Sequence, residues 1–237
     1  MLKFSEQGAQ PVEAKPSATI ILVRDGSKGI EALLLQRNPE LANMGGAWVF
    51  PGGKVDADDP GETPEERARH AAVRELQEEA GLHFPVEQLS YFSHWLTPVV
   101  VKARFATWFY LVTTDGDPEI RVDHSEIVAS RWITAANALE ENRGGELRLP
   151  PPTLVSLLDV ANHASVAELV AAVRRREPPY FFPRIVKTGD DLTFLYPGDV
   201  GYEATAPDIP GVRHRSQLIS GQFSYTREFD WPDKVDV

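Results

Sequence analysis

The sequence predicts an α/β fold of the α+β kind, with strands on both sides of one long amphipathic helix. Segments rich in β-branched and aromatic residues recur before and after residue 64. Between them, residues 64–80 carry apolar side chains at helical spacing. Hydrophobic residues make up 42% of the 237-residue chain, which is ample for a core. A mixed domain with smaller elements appended after it is therefore expected.

The first part of the chain predicts a β-hairpin and a short third strand. Residues 18–24 and 30–37 are the two apolar strands, and residues 25–29 form the turn between them. A glycine-containing loop then leads into a short apolar strand at residues 48–50. Residues 1–16 lack hydrophobic periodicity, so we expect a loose lead-in there.

The segment after the helix predicts more strands and then a second helix. The expected elements are strands at 89–98, 104–112 and 127–134, followed by a helix at 135–141. Pro98 is expected to end the first of these strands or to place it at the edge of the sheet, because proline cannot donate to a sheet ladder. We place the boundaries of this first domain at 15–149.

Residues 150–237 are expected to form an extension that packs on the first domain. Three consecutive prolines, residues 150–152, mark the boundary. The expected elements are helices at 153–163 and 165–176, a β-hairpin with strands at 184–187 and 192–196, and a strand at 217–225. With few long apolar elements, this region is expected to pack against its neighbour rather than fold alone.

The central helix carries clear start and stop signals. Thr63 and Glu66 have the spacing of a capping box, and Pro64 stands at the first helical position. Gly81 stands where a left-handed C-terminal cap is required. The helix is therefore predicted to begin near residue 64 and to end just before Gly81.

Three carboxylates, Glu75, Glu78 and Glu79, share one face of this helix, since positions i, i+3 and i+4 fall within an arc of roughly 100°. Like charges this close raise one another's pKa, whereas a hard divalent cation removes the repulsion. A solvated acidic face is the commoner use of such a pattern. The apolar opposite face and the bare backbone of Gly52 and Gly53 favour a metal site here.

These residues resemble the signature of the Nudix hydrolases, which reads G-x5-E-x7-R-E-U-x-E-E-x-G-U with U aliphatic. Residues 74–82 match its last nine positions without a mismatch. Twelve residues separate Gly53 from Glu66 where the signature has five, so Glu62 and Glu66 are both candidates for its first glutamate. The resemblance implies the Nudix α/β/α sandwich with a mixed sheet.

Further segments resemble the branch of this family that contains the acyl-coenzyme A diphosphatases, which also has a lengthened signature and a C-terminal extension. The similar segments are residues 33–39, 48–53, 95–98 and 104–107. Ala106 departs from the aspartate expected in that branch. Pro98 lies 16 residues after Leu82, a spacing associated with ADP-ribose hydrolases, which keeps ADP-ribose open as a substrate.

The resemblance implies metal-dependent hydrolysis of the diphosphate linkage in a nucleoside diphosphate derivative, such as coenzyme A or acyl-coenzyme A. Mg²⁺ or Mn²⁺ would be held by Glu75, Glu78, Glu79 and the backbone carbonyl of Gly52. The candidates for proton acceptor are Glu78, Glu79 and Glu126. The candidates for substrate contact are Arg37, Gly53 and Arg74. Arg74 is also suited to orient the carboxylates beside it.

Two alternatives remain open at this stage, an ADP-ribose or nucleotide-sugar pyrophosphatase and a non-catalytic nucleotide-binding regulatory module. The intact glutamate set argues against the second, because loss of those residues is the simplest sign of an enzyme that has lost activity. A small-molecule nucleoside diphosphate derivative is the expected partner. A homodimer is left open.

Composition excludes several other classes of protein. The 24 basic and 35 acidic residues give a net charge of −11, which disfavours nucleic-acid binding. No stretch reaches the ~18 apolar residues of a membrane helix. The chain has no cysteine, and its first residues lack a secretory pattern, so we expect a cytoplasmic location. The six histidines show no zinc-ligand spacing.

Overall fold

The computed structural model describes residues 12–42 and 44–234, with the backbone alone at Gln222. In these residues the chain forms two β-sheets and four α-helices. The lead-in expected at residues 1–16 lies mostly outside the described part, and the first strand already begins at Lys15.

The first sheet is mixed and contains eight strands, as the predicted fold class requires. Its strands are β1 Lys15–Gly26, β2 Gly29–Arg37, β3 Trp48–Val49, β4 Gly52–Lys54, β5 Ser90–Leu96, β6 Phe105–Thr113, β7 Ile127–Thr134 and β8 Tyr180–Phe181. The central order is β2–β1–β6–β5–β8, with β3 and β7 paired to β2 and β4 paired to β1. The β1–β6 and β5–β8 pairs are parallel, and the other pairs are antiparallel.

Helices cover both faces of this sheet. Successive side chains of a strand point to opposite faces, so neighbouring apolar residues of β1 pack in two different core clusters. Ile20 and Leu22 of β1 pack in one core cluster with the apolar side of α1, Pro64–Ala80. Ile21 and Val23 pack in the other cluster. The helices that contribute to this second cluster are α2 Ala135–Gly144, α3 Pro151–Ala161 and α4 Val166–Arg175. The predicted α/β/α sandwich is confirmed.

The predicted ends of α1 are also confirmed. The Thr63 hydroxyl accepts a hydrogen bond from the Glu66 N–H at 3.2 Å, and the Glu66 carboxylate accepts one from the Thr63 N–H at 2.9 Å. Gly81 ends the helix at φ 71°, in the left-handed region. These local contacts fix where α1 begins, and therefore which side chains face the sheet.

The second sheet corrects the prediction for the end of the chain. It is antiparallel, in the order β9 Arg184–Thr188, β10 Asp191–Leu195, β11 His214–Ile219 and β12 Gln222–Arg227. The single strand expected at 217–225 was wrong, because Ser220 at φ 51° and Gly221 at φ 82° form a tight turn inside it. Ser-Gly is a turn signal, so the sequence contained the information.

Three further elements were not predicted, and all three are short. They are β4, β8 and a 3-10 helix at Val86–Gln88. β8 belongs to the extension, yet it pairs with β5 of the first sheet, and Phe181 stacks on Trp95 at a ring-centroid distance of 4.0 Å. These contacts support the division into an extension at 150–237 packed on a domain at 15–149, which stays a prediction.

No single helix in the described ranges is long and apolar enough to cross a membrane. Helices α3 and α4 together meet the length and composition criteria, but they are bent by 111° relative to each other. Leu157 and Val160 of α3 are fully buried in the second core cluster.

Candidate active site

All eight predicted site residues line one cleft of about 810 Å³. They are Arg37, Gly52, Gly53, Arg74, Glu75, Glu78, Glu79 and Glu126. Helix α1 supplies the residues from 74 to 79, β4 supplies the two glycines, and the residues at 37 and 126 lie at one end of the β2–β7 pair. The cleft thus joins residues that are far apart in sequence, while the role of each one stays a prediction.

Glu79 is the most buried of the carboxylates that line the cleft, with 7% of the residue exposed. One of its oxygens accepts a hydrogen bond from the Gly52 N–H at 2.8 Å. Burial raises the pKa of Glu79 to about 8, since the carboxylate loses its hydration, and the nearby charge of Glu75 acts in the same direction. A nearby cation would stabilise the ionised form.

Glu75 lies beside Gly53, where β4 passes closest to α1. A Cβ atom on Gly53 would come within 2.3 Å of the Glu75 carboxyl carbon, so a larger residue there would displace the carboxylate. Burial raises the pKa of Glu75, although the adjacent Arg74 opposes this effect. The bare backbone expected at Gly53 thus makes room for a protein carboxylate.

Arg74 lies among the carboxylates and contacts several of them at once. Its Nε and Nη2 atoms donate to the two oxygens of Asp59 at 2.9 and 3.0 Å. Its Nη1 atom donates to Glu75 at 2.9 Å and to Glu78 at 3.1 Å, and Nη2 also donates to the Lys54 carbonyl. These contacts favour the alternative role for Arg74, that of orienting the carboxylates.

Sequence reasoning missed the role of Asp59. Its side chain is almost fully buried, and its bidentate contact with Arg74 holds the guanidinium in place. Although burial alone would raise the pKa of Asp59, the hydrogen bonds from Arg74 and the Asp56 N–H lower it. Nothing local distinguishes Asp59 from the other acidic residues at 56 and 58, because its role depends on where the loop folds.

Arg37 and Glu126 form an ion pair at 3.6 Å at another part of the cleft. The Glu126 side chain is 60% exposed, and its backbone N–H is held by the Asp123 carboxylate at 3.0 Å. The charges of Arg37 and Glu126 both act on Glu79, in opposite directions. The structure therefore brings Arg37, at the end of β2, and Glu126, just before β7, close to Glu79 of α1.

The cleft has more negative than positive side chains. Six acidic residues line it against three basic ones, an excess of three acidic groups. The acidic residues are 56, 75, 78, 79, 123 and 126, and the basic residues are 37, 54 and 74. No three carboxylates or histidines of the described residues already surround a single point. The residues nevertheless fit a divalent cation, because the buried Glu79 carboxylate has no cationic hydrogen-bond partner among the described residues, and Glu75, held by Arg74, offers a further oxygen donor in the same cleft.

The remainder of the cleft is lined by apolar and aromatic residues. Trp95, Pro98, Phe105 and Phe109 come from β5, β6 and the loop between them, and Pro150–Thr153, Pro183, Phe194 and Tyr196 come from the extension. The extension contains other aromatic residues, namely residues 180–182, 223, 225, 229 and 231. None of these lines the cleft, and Phe181 is buried in aromatic packing instead.

Comparison with known proteins identifies relatives of this arrangement. The family model described as the NUDIX domain matches residues 14–151. A putative nudix hydrolase 7 of Caenorhabditis elegans is 29% identical over 79% of this chain and 74% of its own length. A putative 8-oxo-dGTP diphosphatase 3 of Mycobacterium tuberculosis is 30% identical over 85% of each chain.

Acyl-coenzyme A diphosphatases are also among the relatives. The human protein of this name, NUDT19, is 26% identical over 74% of this chain and 73% of its own length. The Xenopus laevis protein is 30% identical, but the match spans 53% of this chain and 34% of that protein. Among solved structures, a NUDIX hydrolase from Alicyclobacillus acidocaldarius superposes with a TM-score of 0.62 at 21% identity, covering 66% of this chain and 95% of its own, which supports the fold.

Proposed function

The chain belongs to the NUDIX family and is a Nudix-type pyrophosphohydrolase, and we propose that it is metal-dependent and cleaves the diphosphate linkage of a nucleoside diphosphate derivative. Coenzyme A or acyl-coenzyme A is the first candidate substrate. The relatives named acyl-coenzyme A diphosphatase support this choice, together with the sequence segments that resemble that branch.

One observation carries the proposal: a single cleft has an acidic, cation-poor part and an aromatic part. This excess of acidic groups repels a diphosphate unless cations accompany it. The aromatic part, with Trp95, Phe105 and Tyr196, suits the base or the pantetheine and acyl portions of such a substrate. The volume of about 810 Å³ is within the range of small-molecule sites.

The residues of this chain have distinct roles in the proposal. Glu75, Glu78, Glu79 and the Gly52 carbonyl would hold Mg²⁺ or Mn²⁺, which when bound neutralises phosphate charge and makes a water more acidic. Arg74, fixed by Asp59, keeps the carboxylates of Glu75 and Glu78 in position.

Arg37 and Glu126 complete the set of proposed roles. The Arg37 guanidinium is free to exchange its long contact with Glu126 for a shorter one with phosphate oxygens. Glu126 is exposed in the cleft, where its carboxylate can accept the proton of the attacking water; Glu78 and Glu79 are the other candidates for this role. Gly53 contributes by leaving room for Glu75.

ADP-ribose or a nucleotide sugar is the second candidate substrate. Pro98, at the spacing from Leu82 associated with ADP-ribose hydrolases, lines the cleft beside Thr97 and Leu96. Because this loop borders the aromatic part, it would contact the portion of the substrate that lies beyond the diphosphate.

A substrate panel tests the proposal. Coenzyme A, acyl-coenzyme A, ADP-ribose, NADH, nucleotide sugars and 8-oxo-dGTP would each be assayed with Mg²⁺ and with Mn²⁺, and products identified by chromatography. We expect the highest kcat/KM for coenzyme A or its acyl esters, with cleavage at the diphosphate. A preference for ADP-ribose would select the second candidate. Cleavage of 8-oxo-dGTP alone, or turnover unaffected by chelation of divalent ions, would overturn the proposal.

A further inference from the structure

The floor of the catalytic cleft is the face of the first sheet that points away from α1. Ala18 of β1 and Trp108 of β6 pack in the core cluster of α1, so the residues beside them in sequence point to the other face. The residues of that other face that line the cleft are Ser17, Thr19, Thr107 and Phe109. The order of the strands therefore sets the order of the side chains along the floor.

One row of paired residues crosses this floor from the acidic part of the cleft to the aromatic part. Lys54 of β4 pairs with Ser17 of β1, which pairs with Thr107 of β6. Thr107 pairs in turn with Trp95 of β5. Neighbouring strands lie about 4.8 Å apart, so Thr107 is roughly 10 Å from β4. A substrate that reaches from the acidic part to Trp95 must therefore pass over Thr107.

Most of the uncharged polar side chains along the aromatic part are already engaged or buried. Thr97 Oγ1 accepts a hydrogen bond from the Phe105 N–H at 3.0 Å. The hydroxyl of Tyr196, which is fully buried, is paired with Ser216 Oγ at 2.9 Å. The Ser17 hydroxyl is buried in the floor. These groups are poorly placed to recognise a ligand.

Thr107 is different, because its hydroxyl is both accessible and unused. The residue is partly exposed in the cleft, its oxygen is not buried, and it has no hydrogen-bond partner among the residues that the structure describes. Thr19 is also partly exposed, but it lies at the acidic part, where a Cβ atom on Gly52 would come within 2.7 Å of Thr19 Oγ1. Thr107 is thus the hydroxyl available between the two parts of the cleft.

The surroundings of Thr107 indicate which kind of group it can bind. The three basic residues of the lining are Arg37, Lys54 and Arg74, on β2, β4 and α1, and the acidic residues of the lining also lie outside β5 and β6. A charged group above Thr107 would therefore have no counter-ion beside it. A threonine hydroxyl can donate one hydrogen bond and accept others, which suits an uncharged hydroxyl or amide group.

On the basis of the proposed function, we propose that Thr107 is a specificity-determining residue. It hydrogen-bonds an uncharged hydroxyl or amide group in the portion of the substrate that joins the diphosphate to the group in the aromatic part. Coenzyme A carries such groups in its pantetheine arm, and ribose carries them in every nucleoside. At roughly 10 Å from β4, the Thr107 hydroxyl contributes to substrate binding and not to the reaction at phosphorus.

Steady-state kinetics with coenzyme A and with ADP-ribose, at a fixed saturating Mg²⁺ concentration, test this role. Thr107→Val removes the hydroxyl and keeps a β-branched side chain that suits a strand. KM should rise about three- to tenfold with kcat nearly unchanged, because one uncharged hydrogen bond to the substrate is lost. Thr107→Ser keeps the hydroxyl and should remain close to wild type. Thr113→Val, at the other end of β6 and outside the cleft, is the matched control and should behave as wild type.

The two substrates also locate the group that Thr107 binds. An equal rise in KM for both assigns it to the adenosine half that they share, whereas a rise for one substrate assigns it to the other half of that molecule. The proposal is overturned if Thr107→Val keeps the wild-type KM for both substrates, if Thr107→Ser loses as much as Thr107→Val, or if the Mg²⁺ concentration for half-maximal activity changes. Failure of the proposed function has a different signature, since wild type would then cleave neither substrate, and the role of Thr107 would fall with it.

Discussion

Glu79 on α1 and Asp199 in the loop between β10 and β11 are both buried carboxylates, at 7% and 5% exposure. Asp199 accepts two hydrogen bonds from Arg215 and one each from the His214 and Gly201 N–H groups, all at 2.7–2.8 Å. Although burial alone would raise the pKa of Asp199, these partners lower it. Glu79 accepts one hydrogen bond, from the Gly52 N–H, and its pKa is raised.

The difference separates a structural carboxylate from one that is prepared for a ligand. Asp199 has all of its partners within the protein, so its charge is satisfied as the chain folds. Glu79 is desolvated without an equivalent cation, which costs stability in the absence of metal and is recovered when a cation binds. Buried acids therefore mark function only where their partners are missing.

The largest effect is expected from Glu79→Gln, which removes the ionisable group and keeps its shape. Metal-dependent kcat/KM should fall more than about hundredfold, because charge stabilisation by a bound divalent ion contributes several kcal/mol. The protein should remain folded, since glutamine keeps the shape of the side chain and avoids the cost of ionising a buried carboxyl. Steady-state kinetics with Mg²⁺ and a thermal melt measure the two results, and wild-type activity would contradict the account.

Asp199→Asn should have the opposite profile. The free energy of unfolding should fall by roughly 3 kcal/mol or more, because the buried Arg215 charge loses its partner. Turnover by the folded protein should be unchanged. Asp233→Asn is the control, since its ion pair with Arg175 is exposed and should contribute at most about 1 kcal/mol. Urea denaturation distinguishes the two variants, and equal stabilities would refute the comparison.

His214 extends the comparison to pH. His214 is 1% exposed, and its Nδ1–H donates a hydrogen bond to the Pro197 carbonyl at 2.6 Å. Burial lowers the pKa of His214 to about 4. Between pH 6.5 and 4 the unfolded chain binds a proton that the folded chain does not. The free energy of unfolding should therefore decrease as the pH is lowered from 6.5 to 4, by up to about 3 kcal/mol.

Denaturation of wild type and His214→Gln at pH 7, 5.5 and 4.5 measures this contribution. The difference in the free energy of unfolding between the two proteins should shrink as the pH falls, because only wild type has a buried imidazole that must stay neutral in the folded state. His83→Gln, at an exposed histidine, is the matched control and should keep the wild-type dependence on pH. A constant difference between wild type and His214→Gln would contradict the assignment.

The smallest effect is expected from Glu66→Gln. Glu66 caps α1, and its carboxylate accepts from the N–H groups of Glu62 and Thr63. Glutamine can accept the same bonds, so kcat/KM should change less than about twofold and the melting temperature should stay close to that of wild type. A hundredfold loss in kinetic assays would instead assign Glu66 to the catalytic set.

Much of the fold could be predicted because its signals are local. The capping box at Thr63 and the C-terminal Gly81 fix the ends of α1, and the continuous apolar run at residues 20–23 of β1 indicates a strand buried on both faces. Ser220 and Gly221 also gave a local turn signal, so the single strand predicted there was an avoidable error.

The remainder of the site depends on contacts between distant segments. Asp59 reaches Arg74 from a loop 15 residues away, and its neighbours in sequence have the same chemistry. Phe194 and Tyr196 line the cleft only because the extension packs beside β5. Local periodicity gives the face on which a residue lies, but it does not give the partner that this face will meet.

Titration calorimetry with Mn²⁺ tests whether the protein binds a divalent cation at the buried Glu79 and its neighbouring glutamates on α1. We expect saturable Mn²⁺ binding to wild type and to Asp199→Asn at a temperature where both are folded, and binding at least about tenfold weaker in Glu79→Gln. Equal Mn²⁺ affinity in wild type and Glu79→Gln would contradict it.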